Sequence, residues 1–201
     1  MSSTLLWYAS RATGIVALVL LTGTVVLGVL TASRFSTRRW PGFATQDLHR
    51  RVSLTALVFL AGHILSAVVD TYVHIGWTAV VVPFTSSYRA LGVGLGAVAV
   101  DLLLAVSVSS LVRHRLRART WRALHWLAYM AWPVAVLHGF AMGTDMRLRW
   151  VLALTLGCIG AAAGAATWRL RRRWEVRRQA AVHAPEVTRR AGVPDKHLAH
   201  R

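Results

Sequence analysis

Acidic residues, lysine and cysteine are all scarce in this sequence. The chain has 201 residues, of which seven are Asp or Glu, one is lysine (Lys196) and one is cysteine (Cys158). A single cysteine excludes an intramolecular disulfide. Only 15% of the residues are charged and 55% are hydrophobic, which excludes an ordinary soluble domain and indicates an integral membrane protein.

The formal net charge of +17 raises the alternative of a nucleic-acid-binding protein. The distribution of the charge argues against that alternative, because the arginines are confined to gaps between long apolar runs. We therefore expect membrane lipid, and no nucleic acid, as the partner of these basic side chains.

Five apolar runs are long enough for membrane-spanning helices, which need about 20 residues. They occupy 12–32, 52–69, 90–112, 123–144 and 150–168. The sequence thus predicts an all-α, polytopic membrane bundle of about five spans within a domain at 1–170. The stretch at 71–89 is apolar but broken by Pro83, so we expect a surface-lying or re-entrant segment there.

The placement of arginine predicts the orientation. The connections at 34–51 and 113–122, with the tail after Trp168, hold 20 of the 24 Lys and Arg residues. The positive-inside rule then places the N-terminus outside and the C-terminus in the cytoplasm, in a bacterial cytoplasmic membrane. The basic tail at 171–201 has prolines and no sustained periodicity, so we expect it to be disordered and bound to anionic lipid; a docking arm for an acidic redox partner is the alternative.

Four histidines lie in two of the predicted spans. His49 and His63 are 14 residues apart in the second span, and His125 and His138 are 13 apart in the fourth. These separations correspond to about 21 and 20 Å along a helix. Because the two spans run in the same direction, His49 is level with His125 (the inner pair) and His63 with His138 (the outer pair).

Two imidazoles that face each other at one depth can ligate the iron of a b-type haem from both sides. The metal then accepts the imidazole lone pairs, which are costly to leave unpaired in lipid. With both axial positions of the iron filled, no site is open for oxygen, which favours electron transfer. Two haems about 20 Å apart would bridge most of a hydrocarbon core of about 30 Å. The alternative for each histidine is an ordinary interhelical hydrogen bond.

Helical rotation tests this arrangement in part. Fourteen residues at about 100° each bring His49 and His63 to one face, whereas thirteen leave His125 and His138 about 140° apart. Pro133 lies between the latter two, so we expect a kink at Pro133 that redirects His138.

Several arginines are candidates to bind anionic haem propionates at the membrane faces. Arg50, Arg51 and Arg122 are placed for an inner haem, and Arg11 and Arg89 for an outer one. Determining the topology is the alternative role for each of them.

Three further residues are candidates of a different kind. Asp101, midway along the third span, is placed either for proton movement or for a hydrogen bond within the bundle. Gly62 and Gly139 adjoin predicted ligands, where a missing side chain would admit either a flat macrocycle or a closely packed helix.

Over residues 5–170 the sequence resembles the ferric reductase-like transmembrane family. The histidine pairs carry the resemblance, together with WRALHWLAYMAWPVAVLHGFAMGTD and VPFTSSYRALGVGLGAVAVDLLL, which are similar to small bacterial members. The family includes ferric reductases, the membrane half of NADPH oxidases and the haem subunit of a periplasmic methionine sulfoxide reductase system. The resemblance implies transmembrane electron transfer through haem, with His49, His63, His125 and His138 at the ligand positions.

Larger members of that family append a flavin- and nicotinamide-binding domain, for which this sequence shows no glycine-rich fingerprint. We therefore expect a separate flavoprotein, a bound flavin or quinol as electron donor, and ferric iron, a periplasmic reductase or a quinone as acceptor. The expected function is that of a dihaem membrane cytochrome b, the electron-transfer component of an oxidoreductase. The alternatives are a quinol-linked dihaem cytochrome b subunit and a haem-free scaffold or transporter whose histidines pack or bind a transported metal.

Overall fold

The fold is built almost entirely from helices. The computed structural model describes residues 3–33, 35, 37, 41–70, 75–142 and 148–191. The helices are α1 (Ser3–Ala32), α2 (Gly42–Val69), α3 (Trp77–Val81), α4 (Ala90–Leu111), α5 (Ala118–His125), α6 (Leu127–Met142) and α7 (Arg149–Ala191), with a 3₁₀ turn at Arg113–Arg115. No strand occurs within these ranges, so the all-α prediction is confirmed.

The long helices form two antiparallel pairs with a cleft between them. Helix α1 packs along α2, and α4 packs along α6. Helix α1 also contacts α6, where the indole N–H of Trp132 donates a hydrogen bond to the Thr22 hydroxyl at 2.9 Å. Within the described part of the chain, α2 makes no extensive contact with α6. Side chains of α2 and α6 therefore face each other across open space.

Four of the helices, α1, α2, α4 and α7, are long and apolar enough to cross a membrane. Their outward faces carry large apolar side chains, such as Val58, Leu104 and Leu156, which are 70%, 51% and 54% exposed. An exposed apolar surface on every long helix is what a lipid environment requires and what water disfavours.

The fourth predicted span, 123–144, is not one continuous helix. Helix α5 ends at His125 and α6 begins at Leu127, and the N–H of Tyr129 bonds to the carbonyl of Trp126, a tighter turn than an α-helix makes. The interruption thus lies at Trp126 and not at Pro133, which is inside α6. Helix α6 has 16 residues, fewer than the roughly 20 of a full span.

The stretch between α2 and α4 contains the short helix α3, which packs on α4, followed by a turn. Phe84 in this turn has a positive φ of 66°, and its ring lies on Gly94 in the space that a side chain there would fill. Residues 71–74, part of the predicted surface-lying segment, are outside the described residues.

Helix α7 is 43 residues long and continues from its apolar half into the basic tail. The helix therefore includes residues 171–191, for which the sequence predicts disorder; residues 192–201 are outside the described ranges. Arginine, alanine and glutamine are good helix formers, and the apolar half supplies the nucleus that a short isolated helix lacks.

Candidate functional site

The structure brings together the histidines that the sequence analysis paired. The ring centroids of His49 and His125, the inner pair, are 6.4 Å apart with ring planes at 70°. Those of His63 and His138, the outer pair, are 6.2 Å apart with planes at 76°. Each pair joins a histidine of α2 to one of the α5–α6 segment, across the cleft.

Helix α2 carries both of its histidines on one face, as the 14-residue spacing predicts, and both contact α1. The Nδ1–H of His63 donates to the carbonyl of Ser10 at 2.7 Å, and the Nδ1–H of His49 donates to the carbonyl of Thr24 at 3.1 Å. The two acceptors are also 14 residues apart. One local arrangement therefore occurs twice between the same two antiparallel helices.

A glycine lies four residues after each acceptor on α1. A Cβ added at Gly14 would lie 2.9 Å from His63 Nδ1, and one at Gly28 would lie 3.4 Å from His49 Cε1. The missing side chain lets the imidazole lie against the helix backbone and reach the carbonyl one turn earlier. We call this combination of a carbonyl and a glycine four residues later a histidine seat.

Helix α4 supplies a third histidine seat. The Nδ1–H of His138 donates to the carbonyl of Gly92 at 2.7 Å, and a Cβ added at Gly96 would lie 2.8 Å from the ring. Both members of the outer pair are therefore held by a seat, one on α1 and one on α4.

His125 has no seat. It is the last residue of α5, and its ring stacks on Trp121 with centroids 5.1 Å apart and planes at 24°. The buried Nδ1 of His125 and Nε1 of Trp121 have no hydrogen-bond partner among the described residues. Stacking, and not a hydrogen bond, orients this histidine.

The three seats determine which nitrogen is free to bind a ligand. An Nδ1 that donates to a carbonyl carries the proton, so the lone pair is on Nε2, as in metal-ligating histidines. Within the described ranges no hydrogen bond involves the Nε2 of any of the four histidines. The arrangement leaves a free imidazole lone pair on each side of the cleft.

The ring separations fit a shared metal atom. An imidazole nitrogen binds a metal at about 2 Å and lies about 1.1 Å from its ring centre, so two opposed ligands have centroids about 6 Å apart. The observed values are 6.4 and 6.2 Å. No cluster of three or more His, Cys, Asp or Glu side chains suited to a bare metal ion occurs in the part of the chain that the structure describes. Two opposed protein ligands without a third suit a metal held in a flat macrocycle, because the macrocycle supplies the remaining donor atoms.

A cavity of about 310 Å³ surrounds the outer pair. Side chains of α1, α2, α4 and α6 line it, with Val151 and Thr155 of α7, and most of the lining is apolar. Arg11 also lines the cavity, with its guanidinium 3.7 Å from the Trp7 ring centroid. An apolar cavity with a few polar groups is typical of a cofactor site.

The predicted propionate-binding arginines have the following positions. Arg51 is exposed, and its Nε lies 2.7 Å from the Asp47 carboxylate in the same helix. Arg122 is exposed and donates to the carbonyl of Ala118, one turn earlier, at 3.1 Å. At the other end of the bundle, Arg89 donates to the carbonyl of Met142, and Arg11 lies at the cavity.

The remaining candidates differ in their surroundings. Asp101 is partly buried in α4 and makes no hydrogen bond to the described residues. A Cβ at Gly62 would meet Thr13 of α1 at 3.7 Å, which favours a role in helix packing, whereas Gly139 lines the outer cavity. Sequence reasoning missed the glycines of the seats, although Gly14 and Gly28 repeat the 14-residue spacing of His49 and His63.

Fold and site together define a small all-helical protein with four helices able to span a membrane and two facing histidine pairs. A family model described as a domain of unknown function, DUF8596, matches residues 5–145, and the chain belongs to this family. The match includes all four histidines and ends before α7. No curated protein and no solved structure matches the chain.

Proposed function

We propose that this protein is a b-type dihaem membrane cytochrome that carries electrons across the bacterial cytoplasmic membrane. One observation carries the proposal: two histidine pairs face each other across one cleft, at ring separations that fit opposed metal ligands. His49 and His125 would hold one haem, and His63 and His138 the other. When bound, haem b supplies a reversible one-electron iron couple.

The residues of this chain would bind and orient the two groups. Three seats hold imidazoles by their Nδ1 and leave Nε2 without a hydrogen bond to the described residues, and the lining of the cavity around the outer pair is mostly apolar. His49 and His63 are 14 residues apart on the uninterrupted α2, or about 21 Å along its axis. The two sites therefore span most of a hydrocarbon core of about 30 Å.

The proposed topology has the arginine-rich end of the bundle, with the inner pair, in the cytoplasm. Helices α1, α2, α4 and α7 cross the membrane, and the α5–α6 segment makes the fifth crossing with its break at Trp126. The break leaves no backbone N–H of Trp126 unpaired, because Trp126 keeps helical dihedral angles and its N–H bonds back to the carbonyls of Arg122 and Ala123.

The resemblance to the ferric reductase-like family leads to the same proposal, with ferric iron or a periplasmic reductase as acceptor. A quinol-linked dihaem cytochrome b would use the same histidines; reduction of the haem by quinol, and not by a flavoprotein, distinguishes it. The free lone pairs and the lack of a third ligand in the described ranges argue against a metal transporter and against a scaffold whose histidines only pack.

A pyridine haemochrome assay on the full chain, purified in detergent from haem-replete cells, tests the proposal. We expect two haem b per chain for the wild type. We expect one for His63→Ala, because only the outer pair loses a ligand. The matched control is His114→Ala, an exposed histidine of the 3₁₀ turn, which should keep both haems. Wild-type protein without haem would contradict the proposal.

A further inference from the structure

Arginine side chains lie against aromatic rings at the point where the apolar half of α7 ends. Arg169 is partly buried, and its guanidinium donates to the Tyr129 hydroxyl of α6 at 3.3 Å and lies 6.0 Å from the centroid of the Trp126 ring. The Arg172 guanidinium lies 5.1 Å from the centroid of the Trp168 ring. Both cations are therefore positioned by aromatic neighbours at one end of the bundle.

No acidic side chain balances these arginines. Arg173 lies four residues after Arg169 and is therefore its neighbour on the helix surface. We call Arg169, Arg172 and Arg173 the arginine cluster. Among the described side chains at this end of the bundle the acids are Asp47, which is paired within α2, and Glu175, which forms no ion pair. A partly buried guanidinium without a carboxylate favours the binding of an external anion.

The depth of the arginine cluster matches the headgroups of a bilayer. Trp150 and Trp168 have the positions of interfacial aromatics on α7, and their separation of about 27 Å is close to the thickness of a hydrocarbon core, roughly 30 Å. The three arginines follow Trp168 by about 1.5, 6 and 7.5 Å along the helix axis. Because the headgroup layer on each side is about 5–8 Å thick, the cluster lies at the level of the lipid phosphates.

Exposed apolar side chains adjoin the arginine cluster. Leu170 and Trp174 are exposed and four residues apart, so they share one face of α7, and the Trp126 ring is exposed as well. Guanidinium groups hydrogen-bond phosphate oxygens in pairs, whereas the apolar side chains suit the glycerol and the first acyl carbons of a lipid. A small inorganic anion would contact only the cations, whereas a phospholipid contacts both kinds of side chain.

We propose that the arginine cluster binds the headgroup phosphate of an anionic phospholipid, with Leu170 and Trp174 against the adjoining part of the lipid. The cluster lies on α7, beyond the residues that the family model matches. A zwitterionic lipid should bind less tightly, because its headgroup brings a positive charge into the field of the arginines. The proposal does not depend on haem, because none of these side chains belongs to a histidine pair or to a histidine seat.

Native mass spectrometry of the full chain, titrated with lipid in detergent, tests the proposal. The probes are phosphatidylglycerol and phosphatidylcholine with identical acyl chains. The variant R169Q/R172Q/R173Q removes the cluster, and the control R115Q/R117Q/R119Q removes three exposed charges around the start of α5, at the same end of the bundle. We expect wild type to bind its first phosphatidylglycerol about tenfold or more tightly than phosphatidylcholine. The cluster variant should lose this preference, and the control should keep it within about twofold.

A second variant, R172Q/R173Q, keeps the contact between Arg169 and Tyr129 and should weaken phosphatidylglycerol binding about threefold or more, which separates loss of the site from misfolding. Three results would overturn the proposal. They are equal wild-type affinity for the two lipids, an equal loss in the control variant, which would assign binding to the overall charge of this end, and displacement of the lipid by millimolar inorganic phosphate, which would identify a small-anion site. Haem content is measured on the same samples, and protein that selects phosphatidylglycerol but holds no haem would refute only the proposed function.

Discussion

The outer and inner histidine pairs have nearly the same ring separation but are held in different ways. Both outer histidines donate to a carbonyl at 2.7 Å and lie on a glycine. Of the inner histidines, His49 donates to the carbonyl of Thr24 at 3.1 Å, and a Cβ at Gly28 would lie 3.4 Å from its ring, farther than at the outer seats. His125 has no hydrogen-bond acceptor among the described residues. Hydrogen bonds orient both histidines of the outer site, whereas His125 of the inner site is oriented by a stacked tryptophan at a helix end.

The largest difference in haem content between the outer and inner sites should come from replacing the glycine of a histidine seat. A leucine at Gly14 or at Gly96 places side-chain atoms where the His63 or His138 ring now lies, since even a Cβ would approach within 2.9 or 2.8 Å. We expect each variant to lose the outer haem and keep the inner one, which the haem-to-protein ratio measures. The control is Gly160→Leu on α7, where a Cβ meets nothing within 4 Å. Loss of both haems in the seat variants, with normal membrane insertion, would contradict independent sites.

A smaller effect is expected on the affinities of the outer and inner sites for haem. A hydrogen bond from the second ring nitrogen of a metal-ligating histidine contributes about 10–100-fold to the affinity of the site, and the outer pair has two such bonds, both at 2.7 Å. Haemin titrated into apoprotein should therefore fill the outer site first, with a dissociation constant at least tenfold lower. His63→Ala should abolish the tighter phase and leave the weaker one. Two equal phases would show that the seats do not control affinity.

The bond between Trp132 and Thr22 should affect both sites together. Thr22→Val removes a buried hydroxyl that accepts the hydrogen bond of the partly buried Trp132 indole and so joins α1 to α6, at a cost of about 1–3 kcal/mol in unfolding free energy. Because the bond joins the two helix pairs, thermal release of both haems should shift to lower temperature. Thr167→Val serves as the control, since that hydroxyl bonds within exposed α7. A shift confined to one haem would refute this reading.

The smallest effect concerns the stacked tryptophan of the inner site. Trp121→Phe keeps an aromatic ring against His125 and removes a buried N–H without a partner, so we expect unchanged haem content and a melting temperature equal to or above the wild type's. Trp121→Ala removes the stacking and should lower occupancy of the inner haem alone. If the phenylalanine variant loses that haem, the indole N–H has a binding role that the structure does not show.

The pairing of the histidines was predictable because it follows from helical rise, and α2 is an uninterrupted helix. For the other histidine-bearing segment the sequence predicts a kink at Pro133, whereas the structure divides the helix at Trp126 and keeps Pro133 inside α6. Pro133 is the obvious interruption in the sequence, yet a helix can tolerate a missing N–H when neighbouring groups compensate. Trp126, where the chain turns, has no such signature.

The seats were missed for a different physical reason. Gly62 and Gly139 adjoin the histidines along the chain and were therefore the candidates in the sequence, but an imidazole extends from its own helix and lies on the neighbouring one. The acceptors are main-chain carbonyls, which every residue possesses, so the sequence carries no signal for them. Only the repeated 14-residue interval of Gly14 and Gly28 hinted at the seats.

Electron paramagnetic resonance of the oxidised, purified full chain tests the central claim most directly. Two opposed imidazoles with planes at 70° and 76° to each other should give low-spin ferric haem with the strongly anisotropic signal of near-perpendicular axial ligands, at two haems per chain. A high-spin signal that persists in intact protein, or protein that holds no haem, would show that these histidines do not bind iron in pairs.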